Sequence, residues 1–573
     1  MKIRDLVPVA LGAQPADTIL RNARIVNVYT GRIETGNIAL FRKRIAGIGD
    51  YEDAKETVDL KGHYVVPGFI DAHLHIESSM VSPREFARAV LSRGTTTVIA
   101  DPHEITNVLG IDGLDYMIKS TEGIPLNVYI ALPSAVPATS LETAGARLGP
   151  EDMVSFVDKY PRRIIALGEV MNFPGVLNTD NELITKIEIL RHKYKKIDGH
   201  APGLREKKLN AYIAAFIRSD HESTSAEEAL EKISRGMQIL IREGTAAKNL
   251  EALIKVVDIS NHIFFSFCTD DRDLSDIISE GHIDFLFKKA VKLGLDPIIA
   301  LRMATINTAR HYNLRSMGAI APGYKADMVV IDNLKDFNIE MVIKDSRVVA
   351  EHGRLVAPLG GIYENMPARI GRVSLPDYSL DTFKIPALSS HIRVIGMRVG
   401  DLYTESLTLK ARIENGLALA DPDRDISKVV VFGRHDGKNV SRAFVSGFGI
   451  KQGAIATTVG HDAHNLCAIG VDDGDMFAAV RRVNELNGGI VSVINGKIKA
   501  EIPLPIAGLM SDKELTEVVM ELEDMKKAIR VMGSREDILM ILHFIQLAVI
   551  PELKITDQGL VNVLEQRIVE VFV

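Results

Sequence analysis

The feature that most constrains the fold is a regular alternation of short apolar runs with amphipathic helical stretches between residues 64 and 317. Each run has the length of a buried strand, and the intervening stretches repeat their apolar residues at helical spacing. Eight such pairs in succession predict an α/β fold, a TIM-like (β/α)8 barrel in which helices surround a closed parallel sheet. The predicted strands lie in YVVPGFIDAHLH (64–75), TTTVIAD (95–101), NVYIALPSAV (127–136), RIIALGEVMN (163–172), KIDGHA (196–201), AAFIRSDHE (214–222), QILIREGTA (238–246) and HIFFSFCTD (262–270).

The segments on either side of this region have a different pattern. Residues 1–63 and 318–366 contain short alternating segments separated by glycines, as small antiparallel strands do. Because they flank the barrel at both ends, we expect them to pair into one small β-domain of sandwich type. A proline-containing linker over 367–389 leads to residues 390–573, where strands and helices mix and predict a C-terminal α+β domain.

Composition excludes several classes of protein. A chain of 573 residues with 46% hydrophobic and 25% charged residues is an ordinary multidomain globular protein. The net charge of −7 is too small for this length to favour nucleic acid or an acidic membrane as partner. Two cysteines do not support a disulfide framework, so we expect a cytoplasmic protein. We also expect a homo-oligomer.

The longest apolar tract, ILMILHFIQLAVI at residues 538–550, does not change that expectation. A membrane-spanning helix needs roughly 20 apolar residues, and this tract is shorter and contains His543 and Gln546. We therefore expect no membrane partner.

Polar side chains gather at the carboxyl ends of the predicted strands, the face on which barrels of this type carry their active sites. His73 and His75 end the first strand, and residues i and i+2 of a strand share a side, so the pair can bind one metal ion from one direction. Imidazole nitrogens and carboxylate oxygens are ligands for zinc, manganese and iron. One histidine at a strand end is usually structural, but six such groups on one face predict a metal site. The other four are Glu169 on the fourth strand, His200 on the fifth, His221 on the sixth and Asp270 on the eighth.

These motifs carry a resemblance to a known family. PGFIDAHLH followed by strand-end histidines and an aspartate resembles the amidohydrolase superfamily, whose fold is a metal-bearing barrel with a small β-domain built from both flanks. Many of its members carry a carbamylated lysine on the fourth strand, where ALGEVMNF supplies Glu169 instead. Together with HLHIESSM, ADPHEI, DGHAPG, SDHES, FCTDD, GHDAHN and PELKITDQGLV, this departure is similar to the adenine deaminase family over essentially the whole chain.

The resemblance implies a binuclear site for two divalent metal ions. Manganese and iron are the metals expected first, and zinc is the alternative. The first-strand pair would hold one ion with Asp270, His200 and His221 would hold the other, and Glu169 would bridge them. The implied reaction is hydrolysis of adenine to hypoxanthine and ammonia by attack of metal-bound hydroxide on C6, with Asp270 as general acid and base. Such an activity belongs to purine salvage or adenine catabolism. In FCTDD, we favour Asp270 over Asp271 because Asp270 ends the apolar strand.

For further polar residues near the barrel mouth, the sequence allows both a structural and a functional interpretation. Asp101 ends the second strand and is either a helix cap or turn former, or a residue that contacts substrate or relays protons. Glu77, His103 and Glu104 raise the same alternative.

The segment GHDAHN (460–465) of the C-terminal domain also keeps two interpretations. It joins two apolar stretches, and its histidines His461 and His464 either reach over the barrel into the substrate pocket or belong to a hydrogen-bonded turn.

Two other functions remain as alternatives. Cyclic amide hydrolases of the hydantoinase and dihydroorotase type share the barrel, although Glu169 and the additional C-terminal domain count against them. An inactive scaffold protein with this fold is the second alternative, against which the complete ligand set counts. A cytidine-type zinc deaminase is excluded, because that class requires a P-C-x-x-C motif and the two cysteines, Cys268 and Cys467, lie far apart.

Overall fold

The computed structural model describes residues 2–360, 370–397, 402–535 and 538–573. The N-terminal segment forms one helix and five strands that belong to the predicted β-domain. The elements are α1 (Ile3–Ala10), β1 (Ala16–Asn27), β2 (Arg32–Phe41), β3 (Arg44–Gly49), β4 (Ala54–Asp59) and β5 (Tyr64–Pro67).

Eight parallel strands follow and form the barrel. They pair as a five-stranded and a three-stranded sheet. Two backbone hydrogen bonds join these sheets into a circle, from Arg218 N–H to the Ile197 carbonyl (2.9 Å) and from Asp270 N–H to the His73 carbonyl (3.0 Å). The predicted barrel is therefore confirmed. The strands are β6 (Phe69–Leu74), β7 (Thr95–Ala100), β8 (Asn127–Leu132), β9 (Ile164–Val170), β10 (Lys196–Gly199), β11 (Ser219–Asp220), β12 (Gln238–Arg242) and β13 (Phe265–Cys268).

The first and sixth strands differ in extent from the sequence prediction. The segment from residue 64 is two strands, because β5 pairs with β1 in the β-domain sheet and only β6 enters the barrel. Gly68 separates them, and a Cβ there would lie 2.3 Å from Thr96 Oγ1. The sixth strand has only two residues, Ser219 and Asp220. The segment predicted for it starts at Ala214, which is the last residue of the preceding helix.

Helices cover the outside of the barrel, and several begin at a side-chain cap, as at Ser82, Asp180, Ser225 and Asp296. Small and medium apolar side chains such as Ile70, Ala131 and Ala166 fill the interior. The helices are α2 (Pro83–Leu91), α3 (His103–Leu109), α4 (Ile111–Ser120), α5 (Pro150–Lys159), α6 (Phe173–Leu177), α7 (Asn181–His192), α8 (Glu206–Ala214), α9 (Ala226–Ser234), α10 (Leu250–Leu253), α11 (Leu274–Ser279), α12 (Ile283–Lys292), α13 (Pro297–Met303) and α14 (Ile306–His311).

The chain then returns to the β-domain through four strands, β14 (Met328–Ile331), β15 (Ile339–Lys344), β16 (Arg347–Glu351) and β17 (Arg354–Leu355). The sheet order is β17-β16-β15-β14-β5-β1-β2-β3, with β4 paired to β1. Both flanks of the barrel therefore contribute to one β-domain, as predicted, and the nine strands of this domain pair into one sheet. The predicted boundary at residue 366 lies outside the described residues, and the division of the whole chain into domains remains a prediction.

The C-terminal region has α+β structure. Its main sheet has the order β20-β19-β24-β23-β26-β25-β27-β28. The elements are β18 (Ile385–Pro386), β19 (His391–Met397), β20 (Thr404–Lys410), β21 (Arg412–Glu414), β22 (Leu417–Leu419), β23 (Ile426–Phe432), β24 (Val440–Ser446), β25 (Ala454–Thr457), β26 (Leu466–Gly470), α15 (Asp473–Leu486), β27 (Gly489–Ile494), β28 (Lys497–Pro503), α16 (Leu515–Val531), α17 (Ile538–Phe544), β29 (Leu553–Thr556), β30 (Gly559–Asn562) and β31 (Arg567–Val569).

This C-terminal region packs directly on the barrel. One continuous apolar core contains Leu74 and Ile76 at the barrel mouth together with Val459, Ile506 and Met510 of the C-terminal region. The placement brings the C-terminal region over the face that carries the predicted metal ligands. None of the helices in the described ranges combines the length and apolarity needed to cross a bilayer.

Candidate metal centre and active site

The structure brings all six predicted ligands together at the carboxyl face of the barrel. Two of them, His73 and Glu169, lie within strands β6 and β9. The others follow the ends of β6, β10, β11 and β13, so the strand ends set their positions. All six side chains are buried, namely those of His73, His75, Glu169, His200, His221 and Asp270.

Glu169 lies at the centre of this group and faces a different pair of histidines with each carboxylate oxygen. Its Oε1 atom is 3.5 Å from His75 Nε2 and 3.9 Å from His73 Nε2. Its Oε2 atom is 2.6 Å from His200 Nδ1 and 3.1 Å from His221 Nε2. Burial opposes ionisation of Glu169, but the neighbouring His221 and His200 rings outweigh it and hold its pKa well below the usual value. The side chain is therefore a carboxylate, the form that binds metals.

Asp270 closes the same group from the eighth strand. Its Oδ1 atom is 3.1 Å from His75 Nε2 and 3.6 Å from His73 Nε2, and its Oδ2 atom accepts a hydrogen bond from Arg242 at 2.8 Å. Burial raises the pKa of Asp270, yet the two histidines and Arg242 outweigh that effect and hold it well below the usual value. Asp270 is therefore a carboxylate, the form that can contact a metal ion.

The unsatisfied polar atoms of the site fit a metal ion. Both ring nitrogens of His73 are buried and make no hydrogen bond within the described residues, although buried polar groups nearly always have a partner. Ligand atoms of His73, His75 and Glu169 lie within 4.8 Å of one another, and so do those of Glu169, His200 and His221. Nitrogen and oxygen donors of this kind suit zinc, manganese or iron(II).

Asp101 does not line the cavity. It contacts two of the candidate ligands, His75 through the ring and Glu169 through the backbone. Its backbone carbonyl lies 2.8 Å from His75 Nδ1, which leaves Nε2 of that ring free to face Glu169 and Asp270. Its Oδ2 atom accepts the backbone N–H of Glu169 at 3.0 Å. Such outer contacts fix the ring orientation and tautomer of metal ligands.

Gly168 makes this contact possible because a larger residue would occupy the position of the Asp101 carboxylate. A Cβ at residue 168 would lie 2.1 Å from Asp101 Oδ2. We expect Gly168→Ala to lower both the apparent Tm and the metal content, because forced overpacking typically costs about 1–3 kcal/mol and here it displaces the residue before Glu169. Scanning calorimetry and elemental analysis on the same sample would measure both.

The matched control is Gly36→Ala, also in a strand, where the nearest atoms to an added Cβ are at 3.7 Å. We expect it to leave both quantities near the wild-type values. Unchanged metal content in Gly168→Ala would contradict the orienting role of Asp101.

A cavity lies over the ligand group between the barrel and the C-terminal region. The C-terminal region supplies an apolar part of its wall, and the His461 ring stacks on Phe544 with centroids 4.2 Å apart. GHDAHN therefore reaches over the barrel, although only His461 and Asp462 of this segment line the cavity. The apolar wall residues from the C-terminal region are Leu402, Phe544, Leu547, Val549 and Ile550.

Sequence reasoning missed two charged residues of the wall, Glu222 and Arg242. The Arg242 guanidinium contacts the Glu222 carboxylate, with one hydrogen bond at 3.1 Å, and also binds Asp270. Arg242 is the last residue of β12, so a search for polar residues at every strand end would have found it. Asp271 also lines the cavity, beside the favoured Asp270.

The remaining sequence candidates divide between the wall and the interior. His103 and Glu104 line the cavity. Glu77 does not, because its carboxylate accepts the backbone N–H of Ile105 at 3.3 Å behind the wall. His464 is buried behind the wall as well, in contact with Glu104. Substrate binding by Asp101, Glu77, His461 and His464 therefore remains a prediction, to which the geometry gives most support at His461.

Comparison with known proteins identifies two matching family models. The amidohydrolase family matches residues 64–349, and the adenine deaminase C-terminal domain matches residues 401–567. The chain is 61% identical to a protein named adenine deaminase from Thermosipho africanus, over the full length of both chains. It is 55% identical to one of the same name from Kosmotoga olearia, over 100% of this chain and 99% of that protein.

Solved structures with a similar fold are more distant. β-Aspartyl dipeptidase from Fervidobacterium islandicum is 19% identical with a TM-score of 0.46, over 60% of this chain and 98% of that one. Enamidase is 18% identical with a TM-score of 0.44, over 60% of this chain and 97% of that one.

Proposed function

Because the chain belongs to the adenine deaminase family of the amidohydrolases, we propose that its barrel site hydrolyses adenine to hypoxanthine and ammonia with two divalent metal ions. Water adds to C6 of the purine, the bond from C6 to the exocyclic nitrogen breaks, and ammonia leaves. The observation that carries the proposal is the placement of Glu169, whose two oxygens face two separate histidine pairs across 2.6–3.9 Å.

We divide the ligands between the two ions as the family resemblance implies, and the distances around Glu169 support that division. His73, His75 and Asp270 would hold one ion, His200 and His221 would hold the other, and Glu169 would bridge them. The chemistry that two divalent ions would supply at these residues is a water whose pKa is lowered toward 7, and such a water is a better nucleophile at neutral pH than free water.

Asp270 moves the protons in this proposal. Its carboxylate accepts a proton from the attacking water and delivers it to a ring nitrogen or to the leaving amine, which is general base and general acid catalysis by one group. Arg242 supports this role in two ways, since it fixes Oδ2 at 2.8 Å and favours the ionised form of Asp270. Glu222 accepts hydrogen bonds from the same guanidinium and keeps it in place.

The cavity wall is suited to a flat heteroaromatic substrate. Phe544, Leu547 and Ile550 present apolar surface, while His461, Glu222 and Asp271 present polar atoms. Binding sites for small ligands commonly combine an apolar lining with a few directed polar groups. The apolar residues would also exclude bulk water, which strengthens the electrostatic interactions between the remaining groups.

The test is ammonia release from adenine, with the metal content measured on the same sample. We expect activity in protein that holds manganese or iron, loss of activity after chelation, and recovery when Mn2+ is restored. Hydantoin and dihydroorotate serve as competing substrates. Hydrolysis of these cyclic amides without turnover of adenine would replace the proposal by cyclic amide hydrolysis. Protein that stays inactive on all three substrates with its metals restored would indicate a scaffold.

Other properties stay predictions. Which metal the site holds depends partly on which ions are available in the cell, because the same ligands accept several ions. The homo-oligomeric state, the cytoplasmic location and a role in purine salvage or adenine catabolism also remain to be measured.

A further inference from the structure

A second group of ligand-type side chains lies beside the barrel site, where the C-terminal region meets the barrel. We call it the Glu104 cluster, and it consists of His103 and Glu104 from α3 together with His461 and Asp462 from the segment between β25 and β26. All four side chains are buried. One ligand atom from each of them lies within 4.8 Å of the others.

The separations between these atoms match those of a metal site. Glu104 Oε1 is 2.7 Å from His461 Nδ1 and 3.3 Å from His103 Nε2. Asp462 Oδ1 is 3.8 Å from His103 Nε2 and 4.0 Å from His461 Nδ1. Four nitrogen and oxygen ligands at the usual bond lengths around one ion are separated by about 3.3 Å in a tetrahedron. The observed values fall on both sides of that figure.

Hydrogen bonds of good geometry do not account for this arrangement. Both carboxylate oxygens of Glu104 lie close to histidine nitrogens, Oε1 to His461 Nδ1 and Oε2 to His464 Nε2, but within the described ranges neither oxygen meets the geometry of a hydrogen bond, and neither does Oδ2 of Asp462. Buried polar atoms nearly always have a partner, and a bound ion between these side chains would supply one.

Neighbouring side chains hold the cluster in an orientation suited to a metal. His103 turns its other ring nitrogen, Nδ1, toward Asp101 and Glu169 at 3.6 and 3.5 Å, so a carboxylate lies behind the ring as in many metal sites. His464 Nδ1 accepts the Gly460 N–H at 3.1 Å, so the neutral ring carries its proton on Nε2, next to the second Glu104 oxygen.

We propose that the Glu104 cluster binds an additional divalent transition-metal ion through one ring nitrogen each of His103 and His461 and one carboxylate oxygen each of Glu104 and Asp462. Two imidazoles and two carboxylates suit zinc, manganese or iron(II) better than magnesium or calcium, which prefer oxygen ligands. The ion joins the barrel to the C-terminal region at the cavity wall, separated from the barrel pair by the His103 ring.

The competing interpretation is an ion pair without a metal. Burial disfavours the charged form of His461, but the Glu104 carboxylate outweighs it and raises the pKa of His461 to about 9. A protonated His461 would therefore lie at the same 2.7 Å from Glu104. The two interpretations differ in metal content, which can be counted.

The test compares metal equivalents in the wild type, Glu104→Gln and Glu142→Gln. Glu142 is a buried carboxyl that is not one of the four proposed ligands, so the same substitution there controls for the loss of a buried carboxyl. Each protein is stripped with a chelator, dialysed against Mn2+ or, in parallel, Zn2+, and analysed for metal per chain. We expect Glu104→Gln to hold one equivalent fewer than both other proteins.

Equal metal content in the wild type and Glu104→Gln with both ions would overturn the proposal. If the variant fails to fold, anomalous scattering from wild-type crystals grown with Mn2+ decides the question. A peak between Glu104 and His461 supports the site, and no peak there overturns it. Peaks beside Glu169 and activity on adenine test the proposed function separately, so failure of one proposal is distinguishable from failure of the other.

Discussion

The Glu169→Gln variant is expected to lose the barrel pair of metal ions and at least about 100-fold of the wild-type kcat/KM. The loss of an outer contact to a metal ligand typically costs 10–100-fold, and Glu169 is itself in the proposed position of a shared ligand. Glutamine has nearly the same volume, but its amide nitrogen cannot bind a metal and would face either the His73 and His75 pair or the His200 and His221 pair. Metal content and activity should therefore fall together.

The control for this prediction is again Glu142→Gln, which makes the same substitution at a buried carboxyl away from the barrel pair. We expect that variant to keep its metal content and its activity. The measurement is elemental analysis and ammonia release on the same samples, before and after dialysis against Mn2+. A Glu169→Gln protein with a full metal complement would refute the bridging role, whatever its activity.

The barrel and the grouping of the six candidate ligands on one face could be predicted because both depend on local pattern. Apolar runs of strand length fix the strands, and the carboxyl ends of parallel strands necessarily meet on one face. His73 and Asp270 are almost 200 residues apart in the chain, yet their positions relative to a strand end are enough to place them together. No packing information is needed for that step.

The cavity wall could not be predicted in the same way. The apolar tract at residues 538–550 shows only that these side chains are buried, and nothing local indicates that the tract covers a site formed by β6 and β9. That position depends on how the C-terminal region packs on the barrel, which long-range contacts determine. For the same reason, the sequence does not decide whether GHDAHN reaches into the substrate pocket or forms a hydrogen-bonded turn.

The extent of the first barrel strand differs from the prediction for a different reason. The apolar run that begins at Tyr64 continues through Gly68 as far as Ile70 without a polar residue, because β6 and all of β5 except Tyr64 are buried. Burial hides the point at which the chain leaves one sheet and enters another. Only Pro67 and Gly68 indicate the break, and a single proline and glycine are weak evidence within an apolar run.

The Asp270→Asn variant is expected to lose about 10²–10⁴-fold in kcat, the usual contribution of general acid and base catalysis. Asparagine keeps a carbonyl oxygen for the metal, so metal content should fall less than in Glu169→Gln. Residue 270 has a φ of +56°, a conformation that asparagine tolerates as readily as aspartate. The backbone should therefore stay in place, and the loss of rate should report on proton transfer.

Asp271→Asn is the matched control, because Asp271 lies next to Asp270 and also lines the cavity. Its carboxylate accepts a hydrogen bond from Ser78 instead of one from Arg242. Steady-state kinetics on adenine should show a loss in kcat of less than about 10-fold for this variant, below the 10²–10⁴-fold range of a catalytic acid or base. If the larger loss occurred in Asp271→Asn and the smaller one in Asp270→Asn, proton transfer would have to be assigned to Asp271, and Asp270 would remain a metal ligand alone.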